Sequence, residues 1–236
     1  MTVFAAVTAA AQQAYEAASV KLNNSGSSSG STKGSKGQIV FTNVPLKRLV
    51  ERAYDVKPIQ VTGPDWMETI RVDIVAKYPQ DTKRDDQAGM LRSLLEDRFK
   101  LAVHHKSQDL PGYALVLAKG GFKLKAVEDT GGSNTNSNSK NHVRTLTAQT
   151  TPMTQLADIL TRSLGEMVVD HTGIDGVYNF DLTWAEEDQK PDDATADAAP
   201  SLFTALQETL GLRLKPEKVP ADIIVVDHLE RVPVEN

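Results

Sequence analysis

The sequence predicts an α+β fold: two tandem repeats of a β-α-β-β-α-β-β unit, with helices packed on one face of mixed sheets. Three observations predict it. The stretch IQVTGPDWMETIRVDIVAK at 59–77 is echoed by MVVDHTGIDGVYNFDLTWA at 167–185, each an apolar run, a Thr-Gly, a turn and an alternating strand containing Asp. Apolar residues recur at helical spacing twice in each half, and strict alternation marks a strand buried on one face between them.

Leu46, Leu49, Val50, Ala53 and Tyr54 form one helical face, and Pro45 suits its first turn. A strand is expected at Ile59–Val61, a turn at Gly63-Pro64, and a strand at Ile70–Ala76 in which Val72, Ile74 and Ala76 share a face. Leu91, Leu94, Leu95 and Phe99 mark a second helix, followed by two strands, Leu101–His104 and Tyr113–Ala118. The second half reads the same way. A short strand at Leu146–Gln149 leads to Thr151, a helix cap, and then Pro152. Met153, Leu156, Ala157, Leu160 and Leu164 make the helical stripe, with Gly165 just past its end. Strands follow at Met167–Val169 and Val177–Trp184, where Tyr178, Phe180, Leu182 and Trp184 share a face. Ser201 caps a last helix with Phe203, Leu206 and Leu210 inward and Gly211 beyond it, and strands at Leu212–Leu214 and Ile223–Val226 close the unit. Matching Thr62-Gly63 to Thr172-Gly173, and Asp73 to Asp181, keeps every strand on the same face.

The domain boundaries follow. Residues 1–14 read as a remnant of an export signal, 15–127 as the first repeat, 128–142 as a flexible linker, and 143–236 as the second repeat with an acidic loop at 186–200. The export reading rests on apolar or small residues from Val3 to Ala11 and an A-x-A-like site at Ala9–Ala11; a frayed terminus or short helix is the other reading, because no charge precedes Glu16. Asn23–Gly37, Gly131–Asn141 and Glu186–Pro200 are low in complexity and are expected to be mobile loops. The first of them lacks the spacing of a phosphate-binding loop.

Composition excludes several functions. With no cysteine there is no disulfide, thiolate metal site or Cys nucleophile. Net charge is −5 and no basic stripe interleaves with aromatics, so no nucleic-acid partner is expected. No apolar run reaches the ~20 residues that span a bilayer, and no cofactor or metal motif occurs.

The motifs YEAASVK, FTNVPLKRLVERAY, VTGPDW, RVDIVAK, LLEDRFKLAVHH, LPGYALVLAKGG, VVDHTGIDGVYNFDLTW and SLFTALQETLGLRLKPEKVPADIIVVDHLERVP resemble those of the soil-associated bacterial protein family, abundant in acidobacterial genomes. Val72 stands where that family more often has Phe. The resemblance implies an exported protein. Some family members carry the domain behind a membrane-bound metallopeptidase, but no HExxH motif occurs here, and the resemblance supplies no catalytic residues. Each half is also similar, as a pattern of elements, to the small N-terminal domain of secretins and TonB-dependent receptors, which implies an extracytoplasmic interaction module.

Candidate chemistry is sparse. His104 and His105 are adjacent on a strand and point to opposite faces. His171 beside Asp170, and His228 beside Asp227, have the neighbours a general base needs, but no nucleophile elbow accompanies them. Asp73 and Asp181 read as paired acids or as exposed strand residues. Arg98 and Lys100 suit a helix C-terminus. Trp66 and Trp184 are the candidate binding residues, Trp66 weighed against a core position. The expectation is a non-enzymatic exported binding module in the periplasm or at the cell surface, with an envelope protein or small ligand as partner. The rivals are a hydrolase with a site between the repeats using Asp170, His171 or His228, and a small-ligand sensor signalling to a membrane partner.

Overall fold

The computed structural model describes residues 14–186 and 199–234. The expected export remnant and the acidic loop therefore lie almost wholly outside the described residues. Within them the fold is α+β, with three mostly antiparallel four-stranded sheets and four helices.

The chain divides into two compact units. The first holds residues up to 108 together with those from 221 onward, and the second holds 109–220.

In the first unit β1 (Ala17–Leu22), β2 (Ser31–Ser35), β3 (Gln38–Pro45) and β5 (Arg71–Lys77) form a sheet in the order β1-β5-β3-β2. The helices α1 (Leu46–Tyr54) and α2 (Arg84–Phe99) bury the expected stripes. Leu46, Leu49, Leu95 and Phe99 join Ile39, Phe41, Val72, Ile74 and Ala76 in one core cluster. Each of these side chains larger than alanine contributes ~1.5–3 kcal/mol on leaving water. The short strand β4 is Val61–Thr62, with a 3-10 turn at Pro58–Gln60 in place of the expected strand start. Pro58 cannot donate to a sheet ladder, which favours the turn.

In the second unit β7 (Ala126–Val127), β8 (Asn134–Lys140), β9 (Val143–Thr151) and β11 (Val177–Ala185) form a sheet in the order β7-β11-β9-β8. Its helices are α3 (Met153–Leu164) and α4 (Leu202–Ala205), the latter running into a π turn at Leu206–Leu210. The strand β10 is Met167–Asp170.

Two expectations about strands are corrected. The segments at Leu101–His104 and Tyr113–Ala118 belong to one strand, β6 (Ala102–Leu117), and those at Leu212–Leu214 and Ile223–Val226 to one strand, β12 (Leu212–His228). Polar residues mid-strand interrupt the apolar pattern in each without ending the strand. In the first unit β4 pairs in parallel with the end of β12, Val61 opposite Ile224. In the second unit β10 pairs in parallel with the end of β6, Met167 opposite Gly112.

The expected mobile loops at Asn23–Gly37 and Gly131–Asn141 contain the edge strands β2 and β8, which pair with β3 and β9. Their side chains are nearly all exposed, so backbone pairing orders them and composition does not report it. The β8–β9 turn is made by Asn141 and His142, both at positive φ, as a tight two-residue hairpin requires.

A β-bulge lies at the same place in both sheets. Phe41 pairs with Ile74 and Val44 with Val72, leaving an extra residue in β3; Ala148 pairs with Phe180 and Thr151 with Tyr178, leaving an extra residue in β9. The bulge residues Asn43 and Thr150 have φ of 55° and 45°. Asn43 N–H donates to Asp73 Oδ1 at 2.8 Å, and Thr150 N–H donates to Asn179 Oδ1 at 2.8 Å. Each bulge side chain also pins the adjoining loop: Asn43 Nδ2 donates to the carbonyls of Ser27 and Ser29, and Thr150 Oγ1 to that of Gly132. Asp73 and Asn179 thus each accept from the N–H of a bulge residue.

Helix ends needed smaller corrections. Pro152, not Thr151, occupies the N-cap of α3, and the Thr151 hydroxyl donates to the Gln149 carbonyl. Ser201 caps α4 as expected, accepting from Thr204 N–H at 3.2 Å. Leu206 and Leu210 are buried as expected, but Phe203 is 36% exposed, and Leu202 and Ala205 are buried beside them. The Phe203 ring meets Tyr113 edge-on.

Candidate functional site

The first unit builds a groove around Trp66. After Thr62 the chain turns at Gly63-Pro64 into a 3-10 turn, Asp65–Glu68. A side chain at Gly63 would bring its Cβ within 2.7 Å of Met67 Sδ and 3.1 Å of Val226 Cβ, so glycine allows the turn to approach β12. Met67 is buried and anchors the turn, and Ile70 N–H donates to the Trp66 carbonyl at 2.9 Å. The Lys47 ammonium meets Glu68 Oε1 at 2.7 Å and holds that carboxyl below the usual range, tying the turn to α1. Trp66 is left partly exposed against the edge of the core.

The opposite wall is the segment after β12. Leu229 is buried, Glu230 N–H donates to the Phe99 carbonyl at 2.6 Å, and Val234 N–H to the Arg98 carbonyl at 2.7 Å. Arg98 Nη1 donates back to the Val234 carbonyl at 3.0 Å. The tail is therefore pinned to the end of α2 on both sides of Arg231. That places the Arg231 guanidinium 5.1 Å from the Trp66 ring centroid, a cation–π stack. The groove between the walls has a volume of about 470 Å³ and is lined by Pro64, Trp66 and residues 226–232. Within it His228 Nε2 lies 3.1 Å from Glu230 Oε1, and Asp227 Oδ1 lies 2.9 Å from His104 Nδ1.

In the second unit Asp170 and His171 keep separate partners. Asp170 Oδ1 accepts from Thr172 N–H at 2.9 Å and from its hydroxyl at 2.7 Å, a local turn that does not orient His171. His171 Nδ1 instead lies 3.5 Å from Glu217 Oε1. His171 and Asp170 belong to the second unit and His228 to the first. His104 and His105 face separate carboxylates, Asp227 and Asp222. Among the described residues no group of three or more His, Asp or Glu side chains could hold a metal ion.

Trp184 stands in the core of the second unit, 4% exposed, beside a groove of about 370 Å³ lined also by Arg144, Ser163, Leu164, Ala185, Glu186 and Leu202. Arg144 Nε donates to Glu186 Oε1 at 2.8 Å and holds that carboxyl low. Asp181 is exposed. Asp73 is committed to the bulge and also accepts from Asn23 Nδ2 at 2.8 Å. Gly173 takes φ 66°, whereas Gly63 serves close approach. Arg231 was invisible to sequence reasoning. Its partner Trp66 is remote in the chain, and no local spacing links them.

Residues 47–229 match a family model described as a protein of unknown function, DUF3738. No curated protein and no solved structure matches the chain. No helix among the described residues is long and apolar enough to cross a membrane.

Proposed function

The chain belongs to the DUF3738 family, and on that premise we propose that it is a non-enzymatic binding module, exported to the periplasm or cell surface, whose partner surface is the Trp66 groove. One observation carries the proposal. A partly exposed tryptophan is held rigidly beneath an arginine whose backbone is pinned on both sides. Trp and Arg dominate binding energy at protein interfaces, and preorganisation lowers the entropy lost on association. The export part rests on the Ala-rich stretch in residues 1–14 and on the resemblance to an exported bacterial family. The resemblance of each half to secretin and TonB-receptor domains supports an envelope protein as the partner.

The same reading includes an internal duplication. Its repeat is three strands, a helix, two strands, a helix and one long strand. The shared sheet order, the matching bulges and the two parallel pairings of β4 and β10 support it.

The test is in-cell cross-linking of the tagged chain, expressed with its natural upstream sequence and fractionated by compartment. The expected result is one reproducible envelope partner. It is lost in Trp66→Ala and weakened in Trp66→Phe, with the urea midpoint of Trp66→Phe unchanged. A cytosolic protein removes the export reading, and a partner retained in both variants removes the surface.

A further inference from the structure

Arg231 brings to the groove a charge that its neighbours do not answer. Asp227 is engaged by His104 and Glu230 by His228, and among the described residues no carboxylate lies within ion-pair distance of the Arg231 guanidinium. The apolar part of the lining is Pro64, Trp66, Val226, Leu229 and Val232, the last 61% exposed. The groove is open, whereas sites for small ligands enclose ~70–90% of the ligand's surface. Seven consecutive residues, 226–232, line it. β4 pairs with β12 only at Ile224 and Val225 and then turns away at Gly63, so the groove begins where that ladder stops.

We propose that this groove takes the C-terminal end of an extended polypeptide, with the terminal carboxylate on Arg231 and the last apolar side chain against Trp66 and Val232. The proposal rests on the reading of the Trp66 groove as the partner surface, and it names the part of the partner that docks. The geometry selects a chain terminus over an acidic side chain. The guanidinium stands 5.1 Å from the ring, so the anionic and apolar contacts must fall on a single residue. A C-terminal Val or Leu carries both groups on one α-carbon. An Asp or Glu side chain spends its length on the carboxylate and leaves the indole uncovered. The arginine fork also suits a carboxylate geometrically.

The experiment uses the full chain, ¹⁵N-labelled, titrated with N-acetyl-Ala-Leu-Val as the free acid and as the C-terminal amide. Two indole N–H signals report, Trp66 in the groove and Trp184 in the core of the other unit as an internal control. The free acid is expected to move the Trp66 signal and leave that of Trp184 in place. The amide is expected to bind about tenfold more weakly or worse, the loss of a charge-assisted pair. Arg231→Gln, an exposed position, is expected to bring the acid down to the level of the amide. Added salt is expected to weaken the acid and leave the amide unchanged. Equal binding of acid and amide, undiminished acid binding in Arg231→Gln, or a Trp66 signal that stays fixed at millimolar peptide would each overturn the proposal. The cross-linking experiment separates this failure from that of the underlying reading. A partner lost in Trp66→Ala but kept in Arg231→Gln leaves the surface standing and removes the carboxylate from it.

Discussion

Asp73→Ala tests the logic of the bulge. The wild-type carboxylate accepts Asn43 N–H at 2.8 Å and Asn23 Nδ2 at 2.8 Å. Asn43 is 4% exposed, so its N–H loses its partner with little access to water. An unsatisfied buried donor costs ~1–3 kcal/mol, and the half-buried Asn23 bond adds ~0.5–1.5 kcal/mol. The expected loss is about 2–4 kcal/mol, or roughly 5–12 °C in the melting midpoint for a chain of this size. Asp73→Asn should cost far less, because Asn179 performs the same task in the second unit with a neutral amide oxygen. Urea unfolding followed by circular dichroism measures both variants, and hydrogen exchange at the Asn43 amide localises the effect. Asp73→Ala within ~0.5 kcal/mol of wild type would refute the reasoning, since the full desolvation penalty is the premise. An Asp73→Asn variant as damaged as Asp73→Ala would show that charge, not acceptance, does the work.

Further outcomes are expected. Gly63→Ala should destabilise through the clash with Met67 and Val226, while Gly173→Ala, with open space around it, should lose only the ~1–2 kcal/mol of a left-handed residue; thermal melts rank the two. Lys100, at φ 52°, ends α2 where glycine would be unstrained, so Lys100→Gly should raise the melting midpoint by the equivalent of about 0.5–1 kcal/mol. Burial raises the Glu51 carboxyl above its usual value, with the Arg48 hydrogen bond opposing it. A carboxyl raised on folding penalises the folded state once ionised, so this penalty is full above the folded value and fades as pH falls towards 4.5, the unfolded value. Glu51→Gln should therefore gain stability at pH 7 relative to wild type, and the gain should shrink in melts taken near pH 4.

The helices were legible because their stripes are local. Leu46, Leu49, Val50 and Ala53 lie within two turns, as do Leu91, Leu94 and Leu95, and each set is buried as its spacing requires. Helix ends were legible in the second unit, where Gly165 and Gly211 take φ of 70° and 71°. They were not legible in the first, where Asp55 and Lys100 adopt the same left-handed conformation without a glycine to announce it. The edge strands β2 and β8 were read as loops because their order comes from a neighbour's backbone and from the Asn43 and Thr150 side chains, neither of which leaves a mark in STKGS or NTNSNSK. Trp66 was legible as a residue and illegible as a site. The groove needs Arg231, and the bonds from the tail to Arg98 and Phe99 that hold it there join segments far apart in the chain.

The division of the chain imposes an order on its biosynthesis. The second unit is a continuous stretch, 109–220, and has all its strands and helices once that stretch leaves the ribosome. The first unit begins earlier yet finishes later, because its core includes Ile224, Val226 and Leu229. Until those residues emerge, β4 lacks its parallel neighbour and the apolar faces of α1 and α2 stay partly uncovered. The half made first is thus the half completed last. A nascent chain halted before residue 221 would present a folded second unit beside an open first one, the form most in need of a chaperone.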